Sequence, residues 1–228
     1  MNTLLSNLKI DINDKIFLKD PQSSDLGKRI IQHSINLIDE IGFDSFTFKK
    51  LGKIIGSNES SIYRYFESKH KLLLYLASWY WSWLEYQLVF AITNIDNPQH
   101  KLDNALNVLT RKIVADSTFE HIDEVILSRV VINEYSKSYL TKEVDEENKE
   151  GYFSIYKRLV NRLKQLITEY NEHYQFPHSL ASTVIEGTLH QNFLKDHFKS
   201  ITDCDDQAHT AKFFKHLVFN TLSNNYNG

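Results

Sequence analysis

Residues 47–69 read TFKKLGKIIGSNESSIYRYFESK, and this segment says most about the architecture of the chain. Thr47 can cap a short helix that stops at Gly56. Asn58 can cap a second short helix, which we expect over residues 59–66. Two brief helices joined by a tight turn are typical of a helix-turn-helix, in which the second helix enters the major groove of DNA.

One long helix is expected before this pair and another directly after it. From Asp25 onward, apolar residues recur at helical spacing and cover one broad face until Gly42 interrupts them. Ser68 can cap a fourth helix that runs from Lys69 to about residue 93. We expect further helices near 98–115, 121–136, 152–173, 179–199 and 209–222, and a solvated loop or helix end in the acidic segment 141–151.

The composition favours helices over other architectures. Only 7 glycines and 3 prolines occur among 228 residues, too few for the many tight turns of a β-sandwich. With 42% hydrophobic and 24% charged residues, the chain has globular rather than disordered composition. We therefore expect an all-α protein with an N-terminal arm (1–24), a helix-turn-helix domain (25–72) and a larger helical domain (73–228). The apolar residues of the arm fit a short strand and a helical turn equally well.

The charge distribution is compatible with DNA bound at one end of the chain. The net charge of −3 argues against a general nucleic-acid binder. Residues 1–75 nevertheless carry 11 Lys and Arg against 9 Asp and Glu, whereas residues 76–228 carry 15 against 20. No basic and apolar leader opens the sequence, and the longest apolar stretch, 72–84, is too short to cross a bilayer. With a single cysteine, Cys204, we expect a cytoplasmic protein without disulfides or a membrane partner.

The helix-turn-helix segment resembles the DNA-binding domain of the TetR/AcrR family of bacterial regulators. The resemblance covers residues 25–72 and is most specific in Ile-Tyr-Arg-Tyr-Phe at 62–66, with Lys69 three residues after the phenylalanine. It implies an N-terminal DNA-binding domain followed by a larger helical domain that binds a ligand and dimerises. Gly52 and Ile55 depart from the alanines usual in the second helix, and Glu59 places a negative charge near the DNA.

The resemblance also implies which residues contact DNA. Thr47 would contact phosphate at the start of the second helix, and Lys69 would bind phosphate at the start of the fourth. Tyr63 and Tyr65 would touch the backbone. Asn58, Ser60 and Ser61 would face bases, and further phosphate candidates are Lys28, Lys49 and Arg64.

The last two long helices are the expected dimer interface, because members of the resembled family dimerise through a four-helix bundle formed there. Gly187 would allow close helix approach in the middle of one helix. The other helix carries an apolar band made of Phe213, Phe214, Leu217 and Val218. The alternative is that this band packs only on its own chain.

The fourth helix gives the best indication of a ligand site. It holds all three tryptophans, and the resemblance implies that this helix links the DNA-binding domain to the pocket. Helical spacing puts Trp79 and Trp83 on one face and Trp81 on another. Aromatic walls suit a flat or apolar small molecule, although such a stripe is more often core. The candidate ligand-binding residues are Trp79, Trp83, Arg111, Arg129, Glu134 and His190.

A metal site is the alternative use of one helix in the C-terminal half. Glu186, His190 and His197 lie at positions i, i+4 and i+11, so their side chains share roughly one side. No metalloprotease, P-loop, dinucleotide-binding or serine-hydrolase motif occurs, and we expect no cofactor, no metal and no enzyme. The sequence predicts a homodimeric repressor that a small molecule releases from double-stranded operator DNA. The alternative is a helical small-molecule or metal-binding protein, or an enzyme, that keeps the helix-turn-helix only as structure.

Overall fold

The computed structural model describes residue 10, residues 12–115, residue 119 and residues 121–223. The expected all-α class is confirmed, since these residues form helices and no β-strand. Residues 1–9 and 11 of the arm lie outside the described residues, so the choice between a strand and a helical turn is not tested there. The helices are α1 (Asp25–Ser45), α2 (Phe48–Ile54), α3 (Glu59–Tyr63), α4 (Lys69–Ile92), α5 (Pro98–Thr110), α6 (Glu124–Glu134), α7 (Ser136–Tyr139), α8 (Val144–Lys149), α9 (Ser154–Tyr170), α10 (Pro177–His197) and α11 (Gln207–Ser223).

The chain divides into two compact units. The first contains the described residues up to Ser82 together with those of Ile113–Ile155, and the second contains Trp83–Lys112 and the described residues from Tyr156 onward. Three short 3₁₀ turns accompany the α-helices, at Asp14–Ile16, Pro21–Ser23 and Lys199–Ile201. None of the helices in the described ranges is both long and apolar enough to span a membrane.

In the first unit, α1 is the central helix and packs against α2 and α6. Its start is fixed by Ser24, whose hydroxyl accepts a hydrogen bond from the backbone N–H of Gly27 at 3.2 Å. The isoleucines at positions 30, 31, 35 and 38 are buried, as the helical periodicity predicts. Gly42 has φ +75°, a left-handed conformation that breaks the helix before its last turn.

The helix-turn-helix follows the expected capping pattern. Thr47 accepts a hydrogen bond from the N–H of Lys50 at 3.2 Å, and Asn58 accepts one from the N–H of Ser61 at 2.9 Å. Helix α3 is shorter than the expected 59–66, because the chain turns after Tyr63 and buries the next aromatic side chains. The glycine at position 52 has a steric reason: a Cβ there would lie 2.7 Å from the carbonyl oxygen of Ser57.

The second unit has its core between α5, α10 and α11, which pack against one another. Leu102 and Leu106 of α5, Val184 of α10 and Val218 of α11 are buried. Lys215 forms an ion pair with Asp103 at 2.8 Å. Such an ion pair, partly exposed, contributes at most about 1 kcal/mol to stability, so apolar burial holds these helices together.

Candidate nucleic-acid interface

The helix-turn-helix exposes most of the side chains that the sequence predicts for DNA contact. Ser61 is half-buried, Lys69 is partly covered, and Tyr65 lies in the core. The exposed ones share a position in or beside α1, α2 and α3 and can donate hydrogen bonds to phosphate or base edges: Lys28, Thr47, Lys49, Asn58, Ser60, Tyr63 and Arg64.

Asn58 organises the start of α3. Its Oδ1 accepts three hydrogen bonds, from the N–H of Ser61 at 2.9 Å, the hydroxyl of Ser61 at 2.6 Å and the hydroxyl of Ser60 at 2.8 Å. The carboxamide NH₂ of Asn58 points its two donors away from these bonds, because the amide oxygen accepts all of them. This part of α3 therefore offers amide donors and hydroxyl acceptors to a neighbouring molecule.

The two tyrosines of the motif have different surroundings. Tyr63 is 46% exposed, and its ring lies edge-on to Phe48 at 4.9 Å between centroids. Tyr65 is 4% exposed, and its hydroxyl shares a 2.7 Å hydrogen bond with that of Ser24. This bond lowers the pKa of Tyr65, against the opposing effect of burial. Tyr63 is thus available at the surface, whereas Tyr65 joins the end of α3 to the start of α1.

The ammonium group of Lys69 forms hydrogen bonds within its own unit. Its Nζ donates to the backbone carbonyl oxygens of Phe43 at 3.0 Å, Asp44 at 3.2 Å and Phe46 at 3.3 Å. The ammonium also lies 4.7 Å from the centre of the Phe43 ring. The structure therefore places the ammonium of this predicted phosphate ligand on the last turn of α1 and the residue that follows it.

Two predicted ligand-binding residues of α6 form hydrogen bonds with residues of α1. Arg129 makes a forked ion pair with Asp39, at 3.0 Å from Nε and 2.6 Å from Nη2. This pairing raises the pKa of the Arg129 guanidinium. Glu134 is buried, and its Oε1 accepts a hydrogen bond from the N–H of Phe43 at 2.9 Å. Both side chains tie α6 to α1 within the first unit.

The three tryptophans of α4 are all buried. Trp79 lies edge-on to Phe119 at 5.0 Å, and Trp81 lies edge-on to Tyr135 at 5.1 Å, both within the first unit. Helical spacing predicts Trp81 on a different face of the helix from Trp79 and Trp83, but all three side chains are buried to nearly the same extent. Aromatic side chains therefore cover more than one face of α4.

The remaining candidate ligand residues lie in the second unit. Arg111 is exposed and donates to the side-chain oxygen of Gln87 at 3.3 Å, and His190 is exposed. Burial raises the pKa of Glu186, while a hydrogen bond with Tyr156 acts in the opposite direction. Among the described residues, the three possible metal ligands that do converge lie elsewhere and are exposed: Asp205, Asp206 and His209.

The apolar band of α11 splits into two sets. Phe214 and Val218 are buried within the chain, and a Cβ at Gly187 would lie 3.0 Å from the Phe214 ring. Phe213 is 44% exposed and Leu217 is half-buried. The glycine of α10 thus accommodates a ring of the same chain, and the outer residues of the band remain accessible.

One ion-pair cluster, in which two partly exposed arginines bind a buried carboxylate, was missed by the sequence analysis. Glu85 of α4 is 5% exposed, and its carboxylate accepts hydrogen bonds from Arg158, at 2.7 and 2.8 Å, and from Arg162. Burial raises the pKa of Glu85, but the hydrogen bonds from the two arginines outweigh it and lower the pKa overall. The two arginines lie four residues apart on α9, and this spacing is the only sequence signal that could have suggested a common partner.

Comparison with known proteins agrees with the helix-turn-helix and the all-α fold described above. Residues 30–76 match the family model of the bacterial regulatory proteins, tetR family. A search of curated proteins found no match. The fold resembles that of a bacterial regulatory protein of the tetR family from Rhodococcus RHA1, with a TM-score of 0.62 and 14% identity over 87% of this chain and 97% of the other.

Two further solved structures have the same fold at similarly low identity. The TetR-family transcriptional regulator PfmR from Thermus thermophilus matches with a TM-score of 0.57 and 16% identity, over 88% of this chain and 97% of that one. AibR in complex with isovaleryl coenzyme A and operator DNA matches with a TM-score of 0.57 and 15% identity, over 86% and 98%. The resemblance predicted from residues 25–72 is thereby confirmed: residues 30–76 match the tetR family model, and the fold of the chain is that of solved TetR-family regulators.

Proposed function

We propose that this protein is a transcriptional repressor that binds operator DNA as a homodimer and is released from it by a small molecule. The observation that carries the proposal is the exposure of Lys49, Tyr63 and Arg64 in the helix-turn-helix, together with the exposed amide and hydroxyl groups at the start of α3. Cations and phenols suit phosphate oxygens, and small polar groups suit base edges.

The roles of the side chains follow from their exposure. Lys49 and Arg64 neutralise phosphates, while the hydroxyl of Thr47 and the phenol of Tyr63 fix the register along the backbone. Asn58 and Ser60 lie nearest the base edges and decide which sequence is preferred. Ser61 is half-buried and supports the cap rather than the contact.

Dimerisation is part of the proposal because one short helix reads only a few base pairs. Two copies would read two half-sites separated by one or more turns of the DNA. The exposed ring of Phe213 and the half-buried side chain of Leu217 lie on one side of α11 at helical spacing. Covering such apolar surface against a second copy supplies the driving force.

Release by a ligand would be a shift between two populations. The ligand must bind the conformation that does not fit DNA more tightly than the one that does, since otherwise it shifts nothing. AibR has been seen with both isovaleryl coenzyme A and operator DNA, which supports a small-molecule effector for a chain of this fold. Because all three tryptophans lie in α4, their emission provides a direct screen for compounds that bind near this helix.

The decisive experiment is selection of duplexes from a random-sequence library by the wild-type protein. Fluorescence anisotropy at several KCl concentrations then gives the salt dependence for the selected duplex. Each of Lys49→Ala and Arg64→Ala should reduce the slope by about one unit. Lys199→Ala, an exposed lysine of the second unit, is the matched control and should change nothing. A wild-type protein that enriches no sequence would refute the proposal.

A further inference from the structure

Charged side chains bind the backbone of residues 43–46, which we call the link and which comprise the last turn of α1 after Gly42 and the residue that follows it. Gly42 breaks α1 with φ +75°, and the carbonyl groups that follow lie at the end of the helix, where that of Phe43 accepts the N–H of Phe46 at 3.3 Å. Lys69 of α4 donates to three of them, those of Phe43, Asp44 and Phe46, at 3.0 to 3.3 Å. A cation at a helix C-terminus is stabilised by the partial negative charge of such carbonyls.

The backbone N–H at the start of the link is bound from another helix. Oε1 of Glu134, at the end of α6, accepts the buried N–H of Phe43 at 2.9 Å. Its other carboxylate oxygen pairs with Lys137 at 2.8 Å, and Lys137 also pairs with Asp44 at 2.8 Å. Glu134 thus accepts the N–H of Phe43, while Lys69 binds three of the four carbonyl groups of the link. Lys50 binds the fourth, that of Ser45.

The arrangement leaves Lys69 no hydrogen to offer to DNA. An ammonium group has three N–H donors, and three carbonyl oxygens occupy them. By contrast Lys49 is exposed, and no hydrogen bond or ion pair of its ammonium is seen among the described residues. The two lysines therefore differ in their surroundings: the ammonium of Lys69 binds backbone carbonyls, whereas Lys49 is exposed to solvent, although both carry one positive charge in the same motif.

We propose that Lys69 and Glu134 are positioning residues for DNA binding, which act through the backbone of the link rather than by touching DNA. The link ends directly before Thr47, which caps α2 and lies among the proposed phosphate contacts. Fixing its carbonyl and amide groups fixes where α2 begins. This inference rests on the proposed function, and it assigns Lys69 a role other than the phosphate contact that the family resemblance implies.

The first test separates positioning from phosphate contact by the salt dependence. Lys69→Met keeps an unbranched side chain of similar length but removes the charge over the Phe43 ring and all three donors. Lys69→Met should weaken binding to the selected duplex on the order of tenfold with an unchanged salt slope, since no phosphate contact is lost. Lys49→Met, the matched control, should reduce the slope by about one unit. A reduced slope for Lys69→Met, or an unchanged affinity, would overturn the inference.

The second test uses Glu134. Glu134→Gln keeps an oxygen that can accept the N–H of Phe43, so its affinity for the duplex should stay close to wild type. Glu134→Ala leaves that N–H buried without an acceptor and should weaken binding on the order of tenfold, again with an unchanged slope. Affinities are expressed per active folded protein, which removes losses that come from unfolding alone. Equal affinities for the alanine and glutamine variants would contradict a role for this hydrogen bond.

A third measurement does not depend on DNA. Amide hydrogen exchange of the peptide around residues 43–50 should be faster in Lys69→Met and Glu134→Ala than in wild type, whereas peptides of α10 should exchange unchanged. If wild type selects no duplex, the proposed function fails and exchange alone decides about the link. Unchanged exchange around residues 43–50 in both variants would overturn the positioning role.

Discussion

Gly187 of α10 lies against the ring of Phe214 in α11, so that a methyl group at position 187 would be 3.0 Å from Cζ and 3.1 Å from Cε1 of that ring. A glycine in the middle of a helix costs about 1 kcal/mol relative to alanine. The close approach of the buried ring explains why this position carries no side chain. Whether a substitution at position 187 raises or lowers the free energy of unfolding therefore depends on Phe214.

We predict that Gly187→Ala lowers the free energy of unfolding by about 1 kcal/mol, because the ring must move within a packed core and this outweighs the gain in helix propensity. In a Phe214→Leu background the same change should raise the free energy of unfolding, since the smaller side chain leaves room. Urea denaturation of the four proteins of this double-mutant cycle measures the difference. Equal effects in both backgrounds would show that the ring does not restrict position 187.

The buried carboxylate of Glu85 should make stability depend on pH. Burial alone would raise the pKa of Glu85. The hydrogen bonds from Arg158 and Arg162 outweigh this effect and lower the pKa overall. A carboxyl group whose pKa is lowered on folding stabilises the folded state fully when the pH is above its ordinary pKa of 4.5. This contribution disappears as the pH falls through the lower pKa of the folded state. Glu85→Gln should therefore cost about 2 kcal/mol at neutral pH and much less in acid.

The matched control for Glu85 is an exposed ion pair of the same unit. Glu169 pairs with Lys101 at 2.7 Å and keeps much of its side chain in solvent. Glu169→Gln should change the free energy of unfolding by less than about 1 kcal/mol at any pH. Denaturation curves recorded over a series of pH values compare the two variants. A loss for Glu85→Gln that stays constant into the acid range would show that the arginines do not lower its pKa.

Much of the helix-turn-helix could be predicted because its signals are local. Thr47 and Asn58 each accept the N–H of the residue three positions later, and caps of this kind are visible in any short stretch of sequence. Helical periodicity likewise predicts the buried face of α1, since it needs only the spacing of the isoleucines. The family resemblance added the fold of the rest of the chain.

Contacts between distant parts of the chain could not be predicted in the same way. Glu134 and Phe43 are 91 positions apart, and nothing in the residues around either one points to the other. Glu85 likewise lies 73 positions before Arg158, and the spacing of the two arginines does not identify it as their partner. Tyr65 shows the limit of carrying a role over by position, because its place in the motif does not reveal that its hydroxyl lies against Ser24.

Asn58 offers a way to separate capping from DNA contact. Asn58→Asp keeps an oxygen that caps α3, so the free energy of unfolding should change by less than about 0.5 kcal/mol, whereas Asn58→Ala should lose about 1 kcal/mol. The new negative charge would repel phosphates, and affinity for the selected duplex should fall at least about tenfold in the aspartate variant. Urea denaturation and fluorescence anisotropy measure the two effects independently. An aspartate variant that binds as tightly as wild type would place position 58 away from DNA.

Phe213 tests the dimer with little disturbance of the single chain. Its ring is 44% exposed and touches the neighbouring Phe214 edge-on at 5.0 Å, so Phe213→Glu should cost a protomer no more than about 1 kcal/mol. In an interface between two copies the same glutamate would be buried without a partner, which costs several kcal/mol. Light scattering at micromolar concentration should give twice 26.8 kDa for wild type and close to the single mass for the variant. Phe90→Glu, at a 73% exposed site of α4, is the control and should remain dimeric. A monomeric wild type, or a Phe213→Glu variant that stays dimeric, would exclude this side of α11 as the interface.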